Sequence, residues 1–166
     1  MKILCDRMLL GLGHWLRVAG YDTHWAEADW SDREVVALAV REDRILLTCD
    51  QEIHDHRAAA GRRVVLSSNA IEDCAVELGR HADIEIDWLL APLSRCLKCN
   101  VALVEGGPEH FDELPSGLVG FVTRVEFCGG CRRVYWAGSH ADHMLERLRE
   151  LERLCARGRS ERLRGS

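Results

Sequence analysis

Two short cysteine pairs constrain this chain more than any other feature. Cys96-Leu97-Lys98-Cys99 and Cys128-Gly129-Gly130-Cys131 are separated by 28 residues. Each pair can offer two thiolates from one tight turn, and four thiolates complete the tetrahedral shell of a zinc ion. Gly129 and Gly130 allow the backbone to come close to the metal. The stretch between the pairs suits a hairpin with an inserted loop, EGGPEHFDELPSG. A redox cysteine pair would need only one copy. Four thiolates leave no open coordination position, so the zinc expected here is structural.

No secretory signal pattern and no apolar run of membrane-spanning length is present, which favours thiols or metal ligands over disulfides and makes the cytoplasm the expected compartment. The chain has 166 residues, 47% hydrophobic and 30% charged, enough for one folded domain with a metal-stapled appendage. A net charge of −5 argues against a general nucleic-acid-coating protein but leaves room for a local basic patch.

Residues 1–91 alternate short apolar runs with amphipathic stretches, the pattern of βαβ units around a parallel sheet. Strands are expected at Lys2–Cys5, Tyr21–Trp25, Ile45–Cys49 and Val64–Leu66. Helices are expected from Arg7 to about Ala19, with Gly20 as the stop, from the capping box Ser31-Asp32-Arg33-Glu34 onward, and from an Asn69 cap to about Gly79. Residues 92–155 form a second region, rich in cysteine and glycine, that closes with a charged amphipathic helix. Residues 156–166 are expected to be a frayed basic tail.

Parallel α/β sheets carry their functional groups at the carboxyl ends of the strands. Asp6 and Asp50 each follow a strand at that edge, and Asp32 opens the helix after the second strand. Glu34 or Glu52 could add a fourth carboxylate. Such carboxylates raise one another's pKa unless a cation lies among them, and Mg²⁺ or Mn²⁺ takes oxygen ligands of this kind. A metal held there can activate water for in-line attack on a phosphodiester. Taken singly, Asp32 and Glu34 could equally be helix N-terminal acids, and Asp6 and Asp50 turn formers.

Arg7 and Arg17 fall on one stripe of the first helix, beginning beside Asp6, and an arginine there could take a phosphate. The alternative is a solvated helix face. Arg132, Arg133, Trp136 and His140 follow the second cysteine pair, where arginines beside aromatics could bind and stack RNA bases, or the aromatics could be the core of the ribbon.

The ordered segments ILCDRML, WLRVAGYDT, SDREVVALA, RILLTCDQEI and CLKCN…CGGCRRVYWAGSHADHM resemble the Mut7-C (Mut-7 C-terminal) RNase domain family across roughly residues 1–150. The resemblance implies a PIN-like three-layer α/β/α sandwich with a central parallel sheet, followed by a small β-rich zinc ribbon and a C-terminal helix. It implies an RNA-cleaving acidic site binding Mg²⁺ or Mn²⁺, with Asp6, Asp32 and Asp50 at the acidic positions and Glu52 closing a T-x-D-x-D/E strand end. It places the zinc ligands at Cys96, Cys99, Cys128 and Cys131. Gly13-His14 departs from the Ala-Arg more usual in the family, which removes one basic group near the RNA path. The expected activity is a metal-dependent ribonuclease acting on RNA. The competing readings are an RNA-binding module without turnover and a domain that docks a protein partner or a second copy of itself. Three or four converging carboxylates would favour turnover.

Overall fold

The structure, a computed structural model, describes residues 1–51, 63–118 and 120–165. Strands β1 (Lys2–Cys5), β2 (Asp22–Trp25), β3 (Ile45–Thr48) and β4 (Arg63–Val65) form one parallel sheet in the order β2-β1-β3-β4. The helices are α1 (Leu10–Val18), α2 (Asp32–Glu42), α3 (Ile71–Arg80) and α4 (Ser139–Arg164). A second, antiparallel sheet holds β5 (Val104–Glu105), β6 (Val125–Phe127) and β7 (Val134–Trp136) in that order.

The period of two along each strand sorts the helices to the two faces of the parallel sheet. Ile3, Cys5 and Leu47 share one cluster with Leu12 and Leu16 of α1, Cys74 and Leu78 of α3, and Leu148 and Leu151 of α4. Leu4 and Leu46 instead join Val35, Val36, Leu38 and Ala39 of α2. Strands covered on both faces must be apolar on both, which is why Ile3, Leu4 and Cys5 read as one unbroken run. No helix among the described residues is long and apolar enough to cross a membrane.

Local signals explain most of the boundaries. Arg7–Leu9 forms one 3-10 turn before α1 begins, because the Asp6 carboxylate caps it by accepting from the Leu9 N–H at 3.0 Å. Gly20 ends α1 at φ +102°, against the Ala91 carbonyl, where no side chain would fit. The Glu34 carboxylate accepts from both the backbone N–H and the hydroxyl of Ser31 at 2.7 Å, so it is engaged in starting α2. At α3 the N-cap is Ala70, one residue beyond the expected asparagine, and its side chain caps nothing.

The C-terminus departs from expectation. The segment 156–166 was expected to fray, yet α4 continues to Arg164. It does so because Leu151, Cys155 and Gly158 continue its buried face onto α3, while Arg80 and Arg157 both pair with Glu161. Although it follows the cysteine region in sequence, α4 makes its main contact with α3 on the parallel-sheet side.

The two helices meet at reciprocal glycines. A Cβ at Gly79 would overlap the Cys155 carbonyl, and one at Gly158 would overlap the Val76 carbonyl. Gly158→Ala should therefore destabilise the protein by about 1–3 kcal/mol, the usual cost of forcing an extra carbon into a packed contact. In a thermal melt each kcal/mol corresponds to about 2–4 °C for a chain of this size. An unchanged midpoint would rule out so close an approach of α3 and α4.

Candidate metal centre and acidic strand edge

The two cysteine pairs come together. The Cys96 and Cys131 sulfurs lie 3.4 Å apart, those of Cys99 and Cys128 3.3 Å, and all four lie within 4.8 Å of one another. Sulfurs at tetrahedral corners with Zn–S bonds of about 2.3 Å would stand about 3.8 Å apart. The donor set and the spacing both fit zinc.

The two knuckles share one backbone design. The Cys96 N–H donates to the Val101 carbonyl at 2.8 Å and the Asn100 N–H to the Cys96 carbonyl at 2.9 Å. In the second knuckle the Cys128 N–H donates to Arg133 at 2.9 Å and the Arg132 N–H to Cys128 at 2.8 Å. In both, the residue after the second cysteine is left-handed, Asn100 at φ 67° and Arg132 at φ 59°. Asparagine enters that region readily, whereas arginine does so only under constraint.

Burial alone would raise the Cys96 thiol, but hydrogen bonds from the Tyr135 hydroxyl at 3.1 Å and the Cys99 N–H at 3.4 Å bring it down to about 6. At Cys99 a backbone hydrogen bond from Val101 lowers the thiol, while burial and the neighbouring sulfurs of Cys128 and Cys96 outweigh it and push the group to about 12. The hydrogen bonds favour a thiolate at Cys96, while the crowded sulfurs disfavour a second charge at Cys99. A cation is what lets the full set ionise. Tyr135, half-buried in β7, thus braces Cys96 of the quartet, in keeping with the ribbon-core alternative for the aromatic pair.

Asp6 stands at the carboxyl end of β1, and β1 and β3 are neighbours. The chain runs from β1 to β2 on one side and on to β3 and β4 on the other, so the crevice between β1 and β3 is the switch point where parallel sheets bind ligands. Asp6 is 8% exposed, and donors hold both its oxygens. One accepts from the Leu9 N–H, the other from the Cys49 N–H at 2.9 Å and from the Thr48 hydroxyl. Thr48 in turn accepts from the Asp50 N–H at 2.9 Å, so Asp6 and Asp50 are tied through one hydroxyl. Thr48 is the threonine of the expected T-x-D-x-D/E strand end, but it was assigned no role of its own from the sequence.

Asp32 is exposed at the first position of α2. Glu52 lies outside the described residues. Among the described residues, the cysteine quartet is the group of three or more ligand side chains placed to hold a metal. Asp6, Asp32 and Asp50 do not form a second such group.

The arginines divide. Arg7 is exposed and donates to the Ala28 carbonyl at 3.1 Å. Arg17 requires a correction, because the stripe expected to face solvent or RNA is closed there and Arg17 is 3% exposed. Its guanidinium donates to the Thr23 carbonyl of β2 and to the Leu97 and Lys98 carbonyls of the first knuckle, and lies 3.8 Å over the Trp25 ring. Tertiary contacts that helical spacing cannot show have turned an apparent surface cation inward. Arg132 and Arg133 are exposed beside the second knuckle, Trp136 is half-buried at the end of β7, and His140 is exposed in the first turn of α4.

The family model of the Mut7-C RNAse domain matches residues 1–148, spanning both the parallel sheet and the cysteine quartet. The chain belongs to that family. It is also 30% identical over 105 residues to a human protein named exonuclease mut-7 homolog, an alignment covering 60% of this chain and 12% of the human protein. The chain therefore corresponds to a small part of that relative's length. No solved structure matches.

Cys128→Ser should lose the metal and expose the C-terminal region to proteolysis, because binding and folding are coupled at such sites. The purified parent protein should carry about one zinc per chain by elemental analysis. A well-folded preparation without metal would remove the zinc reading.

Proposed function

We propose that this Mut7-C domain is a metal-dependent ribonuclease of PIN-like architecture, with a structural zinc ribbon that helps to hold RNA. The observation that carries the reading is the linked pair Asp6 and Asp50 at the switch point of the parallel sheet, in a chain whose family is named for RNA cleavage. Two carboxylates, together with the phosphate oxygens of the substrate, are a donor set that Mg²⁺ commonly accepts, since it keeps several of its waters. Bound there, a divalent ion would lower the pKa of water and stabilise charge building on the phosphate. Within this reading, the Leu9, Cys49 and Thr48 donors fix the Asp6 carboxylate in one orientation, and Thr48 orients the start of the Asp50 segment. Asp32 and Glu52 are the further acids that the family resemblance assigns to this chemistry, and Arg7 beside Asp6 meets the phosphate backbone.

RNA binding without turnover is the second reading, and one observation favours it. Both Asp6 oxygens are already engaged by protein donors, and the three aspartates do not form a three-ligand group. Cleavage of labelled RNA with added Mn²⁺ separates the two readings. Asp50→Asn is the cleaner variant, because an amide at position 6 would face three donors and disturb the 3-10 turn. Asp50→Asn should reduce cleavage at least about 100-fold with RNA affinity retained, the scale of loss when a group stabilising the transition state is removed. Equal cleavage in EDTA, or in the variant, would leave binding as the function.

The ribbon's share is measured by salt. RNA affinity should fall with a log–log slope of about 0.7 per phosphate neutralised on a single strand. Combining Arg132→Gly, which also relieves a left-handed arginine, with Arg133→Ala should weaken binding and flatten that slope. A slope unchanged in the double variant would turn the ribbon towards protein docking.

A further inference from the structure

Among the described residues no further strand lies beside the outer edge of β2, and an open edge of this kind needs covering. Its cover is the first cysteine knuckle. The Thr23 N–H donates to Asn100 Oδ1 at 3.2 Å, and the Thr23 carbonyl accepts two N–H groups of Arg17 at 3.2 and 2.6 Å. The same guanidinium reaches across to the Leu97 and Lys98 carbonyls at 2.9 and 3.2 Å. Arg17 and Asn100 are both buried, so these bonds are made away from water.

The connection continues into the sheet. Asn100 Nδ2 donates to Asp22 Oδ1 at 2.8 Å, and the same oxygen accepts from Arg44 Nη1 at 2.7 Å. Arg44, 4% exposed, also donates to the Ile3 carbonyl of β1 at 3.3 Å. A polar chain therefore runs from the knuckle across β2 to β1. The links made by Asn100 and by the Leu97 and Lys98 carbonyls depend on the knuckle holding its turn, since Asn100 is left-handed directly after Cys99 and the two carbonyls belong to the C-x-x-C loop itself. Four thiolates leave a zinc centre net negative, and the Arg17 guanidinium is the buried cation set against the loop that carries two of them.

We propose that occupancy of the thiolate site controls the order of the outer edge of the parallel sheet through Arg17 and Asn100, so that zinc holds β2, and the Asp32-bearing turn after it, in register. The coupling rests on the zinc reading of the quartet and makes the ribbon part of the structural support of the acidic edge. If the metal leaves, the knuckle relaxes, Arg17 loses two acceptors and Thr23 loses its amide partner. The edge then frays while the β1–β3–β4 interior remains.

Residue-resolved hydrogen exchange on the full zinc-loaded chain tests this without reference to activity. Metal analysis comes first, and a preparation without zinc overturns both the zinc reading and the coupling. A strong chelator should speed exchange of the Thr23 amide about 10-fold or more, with the Leu66 amide on Thr48 changed less than about twofold, as for a local opening. Asn100→Gly keeps the left-handed turn and deletes only the side-chain amide. It should reproduce the Thr23 effect with zinc still bound and, by linkage, weaken zinc affinity in a competition titration. Arg17→Lys keeps the charge but loses the fork, and should also free Thr23. Zinc release that leaves Thr23 protected, equal acceleration at Thr23 and Leu66, or an Asn100→Gly protein with unaltered Thr23 exchange and zinc affinity would each overturn the proposal.

Discussion

One buried guanidinium sets the relation between the two halves of this protein. Arg17 is withdrawn from water and donates to main-chain carbonyls, so its charge is held by carbonyl dipoles and the face of Trp25, with Cys96, Cys99 and Asp22 as its charged neighbours. A desolvated cation over an aromatic face is worth about 2 kcal/mol, and bonds to a charged group about 1.5–3 kcal/mol each. Leaving such a group without partners would cost several kcal/mol, so the knuckle is bound to stay where the arginine needs it. The ribbon's own sheet is short and mostly half-buried, so this polar contact acts beside the packing of Leu93 and Leu97 against the core in placing the ribbon on the sheet.

Asp6 carries a related double duty. It ends β1, caps the 3-10 turn leading into α1, and receives the Cys49 amide and the Thr48 hydroxyl from the adjacent strand. Its carboxylate is as much a joint between β1 and β3 as a chemical group. The arrangement explains how an acid can lie almost buried at a sheet edge, because three donors satisfy its two oxygens. It also explains why the structural and chemical readings of this residue were both open in the sequence.

What could be read from the chain was whatever depends on local periodicity. β1 was expected at its observed bounds, the other strands lay within a residue or two, and the capping box of α2 and the stop at Gly20 followed from short-range chemistry. The cysteine quartet was legible because metal geometry restricts spacing more tightly than fold does. Arg17 was misplaced because its partners lie 80 residues away, on carbonyls that any sequence would supply. The tail was misread for a similar reason. Its arginines looked solvated, while the signal for order was Gly158, a residue that normally weakens a helix and here permits a close crossing.

That crossing has a topological consequence. The chain leaves the parallel-sheet side after α3, builds the whole ribbon, and returns through α4 to lie against α3 again. The ribbon is thus an inserted loop whose two ends are stitched to the same helical layer, not an appendage hung from one end. A metal cross-link within such an excursion reduces the freedom of the connecting chain before α4 docks, much as a knot shortens a cord. In folding terms, an ion held by the four cysteines would lower the entropic cost of bringing the last helix home.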